Sequence, residues 1–151
     1  MKERFENFTN LISGISRSIR KIKTEEMQEF NLKSQHVSCI YYIHKNVALT
    51  PKELCEICQE DKAMVSRSLE VLDKKGFLMG ESTDKKYRKL ISLSEKGKQI
   101  ARKVAEKIDK VLSLASAELS QEKRLAMYEG LALVNSNLNK ICKNYGEKNG
   151  N

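Results

Sequence analysis

Apolar positions recur along this chain at helical spacing, broken by short runs of strand character. Phe5, Phe8, Ile12, Ile15, Ile19 and Ile22 are separated alternately by three and four residues. That heptad seam predicts a helix from about residue 4 to 29, with one stripe facing another helix. Gly14 weakens this helix by roughly 1 kcal/mol relative to alanine, so packing must hold the seam. A second helix is predicted from Ser34, its cap, to about Lys45, with Val37, Cys39, Ile40, Tyr42 and Ile43 on its apolar faces and Asn46 as its stop. Val47-Ala48-Leu49 then reads as a short bridge onto a small sheet.

Thr50-Pro51 is a strong helix start, because threonine accepts from free amides and proline suits the first helical position. The helix reaches about Gln59 and buries Leu54 and Ile57. Asp61 reads as the cap of the next helix, residues 62–75, whose buried stripe is Val65, Leu69 and Leu72 and whose stop is Gly76. Phe77-Leu78-Met79 and Leu90-Ile91-Ser92-Leu93 predict a two-stranded hairpin with a charged tip around Asp84–Tyr87. Ser94 caps a helix to about Ala117 that carries Ile100, Val104, Ile108, Val111 and Leu112. Ser120 caps a last one, lined by Tyr128, Leu131, Val134, Leu138 and Ile141, that ends near Lys143 before a polar, frayed tail. The fold class is mostly α with a small β hairpin.

Length and composition narrow the picture. The 151 residues suffice for one domain with a real core, residues 1–151. No apolar run approaches the roughly 20 residues that cross a bilayer, and the first residues lack the apolar stretch of a secretion signal, so a cytoplasmic protein is expected. Net charge is +8. Residues 62 to 110 hold 14 Lys/Arg against 7 Asp/Glu, while the remainder holds 14 against 13. Nearly all the positive surplus therefore lies in and just after the helix–hairpin segment, which points to a polyanion partner.

The order helix–helix–helix–hairpin–helix is that of a winged helix-turn-helix. Its words are Thr50-Pro51-Lys52-Glu53-Leu54, Lys62-Ala63-Met64-Val65-Ser66-Arg67, Leu72-Asp73-Lys74-Lys75-Gly76-Phe77, and Asp84-Lys85-Lys86-Tyr87-Arg88 through Leu93-Ser94-Glu95-Lys96-Gly97. Through this ordered set the chain resembles the MarR family of transcription regulators, over essentially its whole length. The resemblance implies dimerisation helices at 1–30 and 112–145, a winged helix-turn-helix at 31–100, its helix-turn-helix at about 52–75 and its wing at about 77–93. It also implies a homodimer on a near-palindromic double-stranded DNA operator, acting as a repressor relieved by a small-molecule effector.

The same resemblance sets site expectations. Ala63, Met64, Ser66 and Arg67 would face the major groove, with Arg67 the candidate for a bidentate guanine or phosphate contact and Ala63 and Met64 for thymine methyl groups. Lys52 and Lys62 would meet phosphate, and Lys85, Lys86 and Arg88 would form the wing, with Asp84 bracing it. The family's wing often carries arginine where this chain has Lys86, and lysine is the more strongly hydrated point charge. Arg17, His36 and Tyr41 are candidates for an effector pocket.

Other constellations argue for less. Cys55 and Cys58 have metal-ligand spacing but no second pair, so the expectation is buried thiols and no metal. Cys39 and Cys142 fall in apolar stripes, which argues for inertness, although a cysteine-based redox-sensing regulator stays open. A protein-interaction module that keeps the fold without DNA binding is the other alternative. There is no Gly-rich phosphate loop, no GxSxG and no paired acid and base, so neither an enzyme nor a cofactor is expected.

Overall fold

The helix-start signals become helices where side chains meet free amides. The computed structural model describes residues 2–79 and 90–148, so the predicted hairpin tip lies outside the described residues. The chain divides into two compact units, Met1–Asp109 and Lys110–Asn151.

The first unit holds α1 (Lys2–Glu26), a 3-10 turn (Gln28–Phe30), α2 (Ser34–Asn46), β1 (Ala48–Leu49), α3 (Pro51–Cys58), α4 (Lys62–Lys74), β2 (Ile91–Ser92) and most of α5 (Glu95–Ala115). α3 opens on a reciprocal capping box: Glu53 N–H donates to Thr50 Oγ1 at 3.2 Å, and Thr50 N–H donates back to the Glu53 carboxylate at 2.8 Å. α4 opens on Asp61, whose Oδ1 accepts from Met64 N–H at 2.7 Å. α4 closes in a Schellman turn, with Gly76 N–H to Asp73 O at 2.8 Å, Phe77 N–H to Leu72 O at 3.0 Å, and Gly76 at φ +72°.

β1 pairs antiparallel with β2, Ala48 opposite Ser92 and Leu49 opposite Ile91. The described ends of the hairpin meet through a Leu78–Leu93 bridge and a Met79 N–H to Ser92 O bond of 3.0 Å. Met27, Val37, Ile40, Ile43, Leu54, Val65, Leu72 and Val104 form the fully covered centre of the core. α2 runs through the middle of this unit, packed on α1, α3 and α4.

In the second unit α6 (Gln121–Lys148) follows a turn capped by Ser120, whose Oγ accepts from Lys123 N–H at 3.3 Å. Tyr128, Leu131, Val134, Leu138 and Ile141 on α6 are all exposed in the single chain. On α1 the seam residues Phe8, Ile12, Ile15, Ile19 and Ile22 are exposed as well.

Several sequence expectations need correction. α1 stops at Glu26, and the next residues turn as 3-10 rather than continue. Ser34 is not the cap of α2: it lies inside the helix, and His36 Nδ1 reaches back instead to accept from Lys33 N–H at 3.1 Å. Ile57 is 37% exposed, because α3 buries only the side on which Leu54 sits. α6 does not fray after Lys143 but runs to Lys148, since Asn144–Lys148 contains no proline and its single glycine costs only about 1 kcal/mol.

Candidate nucleic-acid interface

α4 presents one face to solvent and the other to the core. Val65, Ser68 and Leu72 are buried, whereas Ala63, Ser66, Arg67 and Glu70 are exposed. The exposed four stand at i, i+3, i+4 and i+7, which is one stripe of an α-helix. Ala63, Ser66 and Arg67 are therefore brought together as the sequence led one to expect. Met64 is half-buried at the edge of the stripe, and Lys52 and Lys62 are exposed near the starts of α3 and α4. Glu70 extends the stripe by another turn. Among the described residues no ion pair holds Arg67.

Two nearby acids are committed to the backbone. Glu53 serves the capping box of α3 and Asp61 serves the cap of α4, so both carboxylates offset free helix N–H groups. Asp61→Ala should cost about 1 kcal/mol of stability, read as a lower urea midpoint at unchanged slope.

Beside this stripe an open groove of about 360 Å³ is lined by residues that include Lys33, His36, Met64, Arg67 and Lys75. Burial lowers the pKa of His36, and the positive charges of Lys33 and Lys75 lower it further. The ring is thus neutral near pH 7, consistent with Nδ1 acting as an acceptor. Of the three effector-pocket candidates only His36 lines this groove. Arg17 is exposed on α1, and Tyr41 is half-buried on α2, edge-on to Tyr42 with ring centroids 5.3 Å apart.

Asp84, Lys85, Lys86 and Arg88 lie outside the described residues. Among the described residues there is no cluster of three or more groups that could hold a metal ion, and no helix is long and apolar enough to cross a membrane. The four thiols are free, with Cys39 buried, Cys55 and Cys58 half-buried and Cys142 exposed.

The arrangement is that of a winged helix-turn-helix with long flanking helices, and known structures share it. A putative MarR family transcriptional regulator from Listeria monocytogenes, complexed with a 26mer DNA, is 22% identical over 86% of this chain and 87% of that one, with a TM-score of 0.79. The S. aureus MepR–DNA complex is 20% identical over 87% and 96%, with a TM-score of 0.76. A MarR transcriptional regulator from Methanosarcina mazei is 15% identical over 90% and 92%, with a TM-score of 0.79. No protein-family model matches the chain, and no curated protein does. The chain therefore has the fold of MarR-family regulators, as the resemblance in its sequence implied.

Proposed function

We propose that this chain is a MarR-family transcription regulator that binds double-stranded DNA as a homodimer. The observation that carries the reading is the exposed stripe of α4. Arg67 stands on it beside two small residues, Ala63 and Ser66, and Lys52 and Lys62 are exposed near the starts of α3 and α4. Small side chains let the helix approach base edges, and arginine can take guanine O6 and N7 together. Two solved structures of the same fold are described as DNA complexes, which supports the same reading.

The homodimer is supported by the apolar stripe on α1 and, separately, by that on α6, both exposed in one copy and far more apolar than an ordinary helix surface. In a two-fold dimer the two copies of α4 enter successive major grooves about 34 Å apart, so the operator is a near-palindrome. Lys52 and Lys62 contact phosphate. Lys85, Lys86 and Arg88 form the wing, with Asp84 bracing it. Repression is relieved by a small effector, which acts only through its differential affinity for two spacings of the recognition helices.

Selecting bound fragments from random duplex DNA tests the proposal. The expected result is a two-fold symmetric motif with half-sites about one helical turn apart. Failure to enrich any duplex would favour an interaction module that has lost DNA binding. On the selected operator, Arg67→Ala should cost about 1–3 kcal/mol of binding and relax the preference at one base position of each half-site. Unchanged affinity and preference would remove Arg67 from the interface.

A further inference from the structure

Three cations line the open groove beside α4, and no acid answers them. Lys33 stands just ahead of α2, Arg67 lies within α4 and Lys75 caps its end. Among the described residues no Asp or Glu lines the groove, and none of the three cations takes part in an ion pair. Lys75 is half-buried, so water screens its charge less than that of an exposed lysine. The contrast is Lys107 of α5, which lies 3.3 Å from Glu26 and 3.1 Å from Glu29. Like charges around one hollow repel each other, and an anion from outside the chain would offset that repulsion.

The ring set among them fits the same demand. His36 Nδ1 accepts from Lys33 N–H at 3.1 Å, so Nε2 carries the ring proton. Among the described residues no side chain or backbone group accepts that proton. The groove therefore presents two ammoniums, a guanidinium and a ring N–H. A phosphate, whose oxygens only accept, matches this set.

The position of the groove decides whose phosphate it is. On α4 it is lined by Met64, Arg67, Ser68, Val71 and Lys75, while the exposed stripe is Ala63, Ser66, Arg67 and Glu70. The two share Arg67, so the groove flanks the face proposed to enter the major groove. A helix in a major groove about 12 Å wide has a phosphate backbone on either side of it. From Arg67 to Lys75 is about 12 Å along the helix, a span that a continuous strand can follow and a single small ion cannot.

We propose that this groove seats the backbone of the bound duplex, with Lys33, Lys75 and the His36 Nε2–H donating to phosphate oxygens while Arg67 turns to the bases. This rests on the DNA reading above and adds the start of α2 to the interface. It also links binding to a proton. Burial first, and then the charges of Lys33 and Lys75, hold the His36 pKa below the ordinary histidine value. A phosphate offsets those charges, so the ring takes a proton more readily in the complex than in the free chain. Operator binding therefore tightens as the pH falls below neutrality. The charged groups that line the groove with His36 are Lys33, Arg67 and Lys75, so no carboxylate titrates beside it.

The test uses the full chain and its selected operator. Lys33→Gln and Lys75→Gln should each weaken binding roughly tenfold at about 200 mM salt and reduce the salt slope by about two, one contact from each copy in a dimer. Both variants should melt no lower than the parent, because each removes a repulsion; a lysine with a merely structural role would lower Tm and leave the slope alone. Unchanged affinity and slope in both variants would overturn the proposal. By proton NMR the His36 ring should titrate at a higher pH in the complex than in the free chain, and an equal or lower value would overturn it as well. His36→Gln keeps an acceptor for the Lys33 amide and should remove the tightening below neutrality while retaining the salt slope. Inorganic phosphate separates the two sources of the anion. If it shifts the His36 resonances while both lysine variants bind the operator as the parent does, the groove serves a free phosphate-bearing ligand and its assignment to the duplex fails. A parent chain that binds no duplex would overturn the DNA reading itself, whereas a parent that binds beside two unweakened variants would overturn the groove alone.

Discussion

Raising salt from about 50 to 200 mM should weaken operator binding by roughly 10³–10⁵-fold. Lys52, Lys62, Lys85, Lys86 and Arg88 from each of two copies offer about ten candidate phosphate contacts, at the upper end of the ~6–10 contacts for which that range holds. Each neutralised phosphate releases condensed counterions, and the entropy of that release shrinks as bulk salt rises. Asp61 should blunt the effect little, because its carboxylate is held by a helix N–H group. The measurement is Kd by titration on the selected operator at four or five salt concentrations. Wing and α3 lysines then separate from Arg67 in kind: Lys86→Ala should flatten the slope and weaken unrelated duplexes alike, whereas Arg67→Ala should change the base preference. A flat salt response would leave the basic segment as solvated surface and favour an interaction module.

The elements of this fold were legible where the signal was local. Thr50-Pro51, Asp61, Ser94 and Ser120 each announce a helix start, and in each case a side-chain oxygen accepts from an amide three residues on. The stripe Ala63, Ser66, Arg67 was legible for the same reason, since helical spacing and the buried Val65 and Leu72 decide which face is left over. The reading failed where the deciding partner is distant or where two local signals compete. Ser34 resembles a cap, yet the His36 ring reaches the Lys33 amide first. The exposure of Ile57 depends on how α3 is rotated against α2 and α4, which α3 alone does not encode.

Gly97 illustrates the same limit and carries the larger effect on stability. It lies in the first turns of α5, where alanine would ordinarily be better by about 1 kcal/mol. Here the sign should reverse. A Cβ at this position would collide with the backbone carbonyl of Phe77, and a backbone atom cannot swing aside as a side chain can. That carbonyl is fixed from another direction, because it accepts from Ser94 N–H at 2.9 Å. Ser94 Oγ in turn donates to Gly76 O at 2.6 Å and accepts from Gly97 N–H at 3.1 Å. The end of α4, the strand leading to the wing and the start of α5 are thus locked through one short contact, and making room for a methyl group must break part of it. Gly97→Ala should cost about 3 kcal/mol or more, as severe overpacking does. For a chain of this size that lowers Tm by roughly 6–12 °C. Gly146→Ala on α6 is the control: nothing lies within 4 Å of its added Cβ, so its effect should stay within about 1 kcal/mol and be favourable. Circular dichroism melts of the two variants decide the matter, and equal melting would mean that α5 does not approach Phe77 this closely. Because the same lock sets the end of the recognition helix, whatever folded Gly97→Ala protein survives at low temperature should also bind its operator more weakly, while Gly146→Ala binds as the parent does.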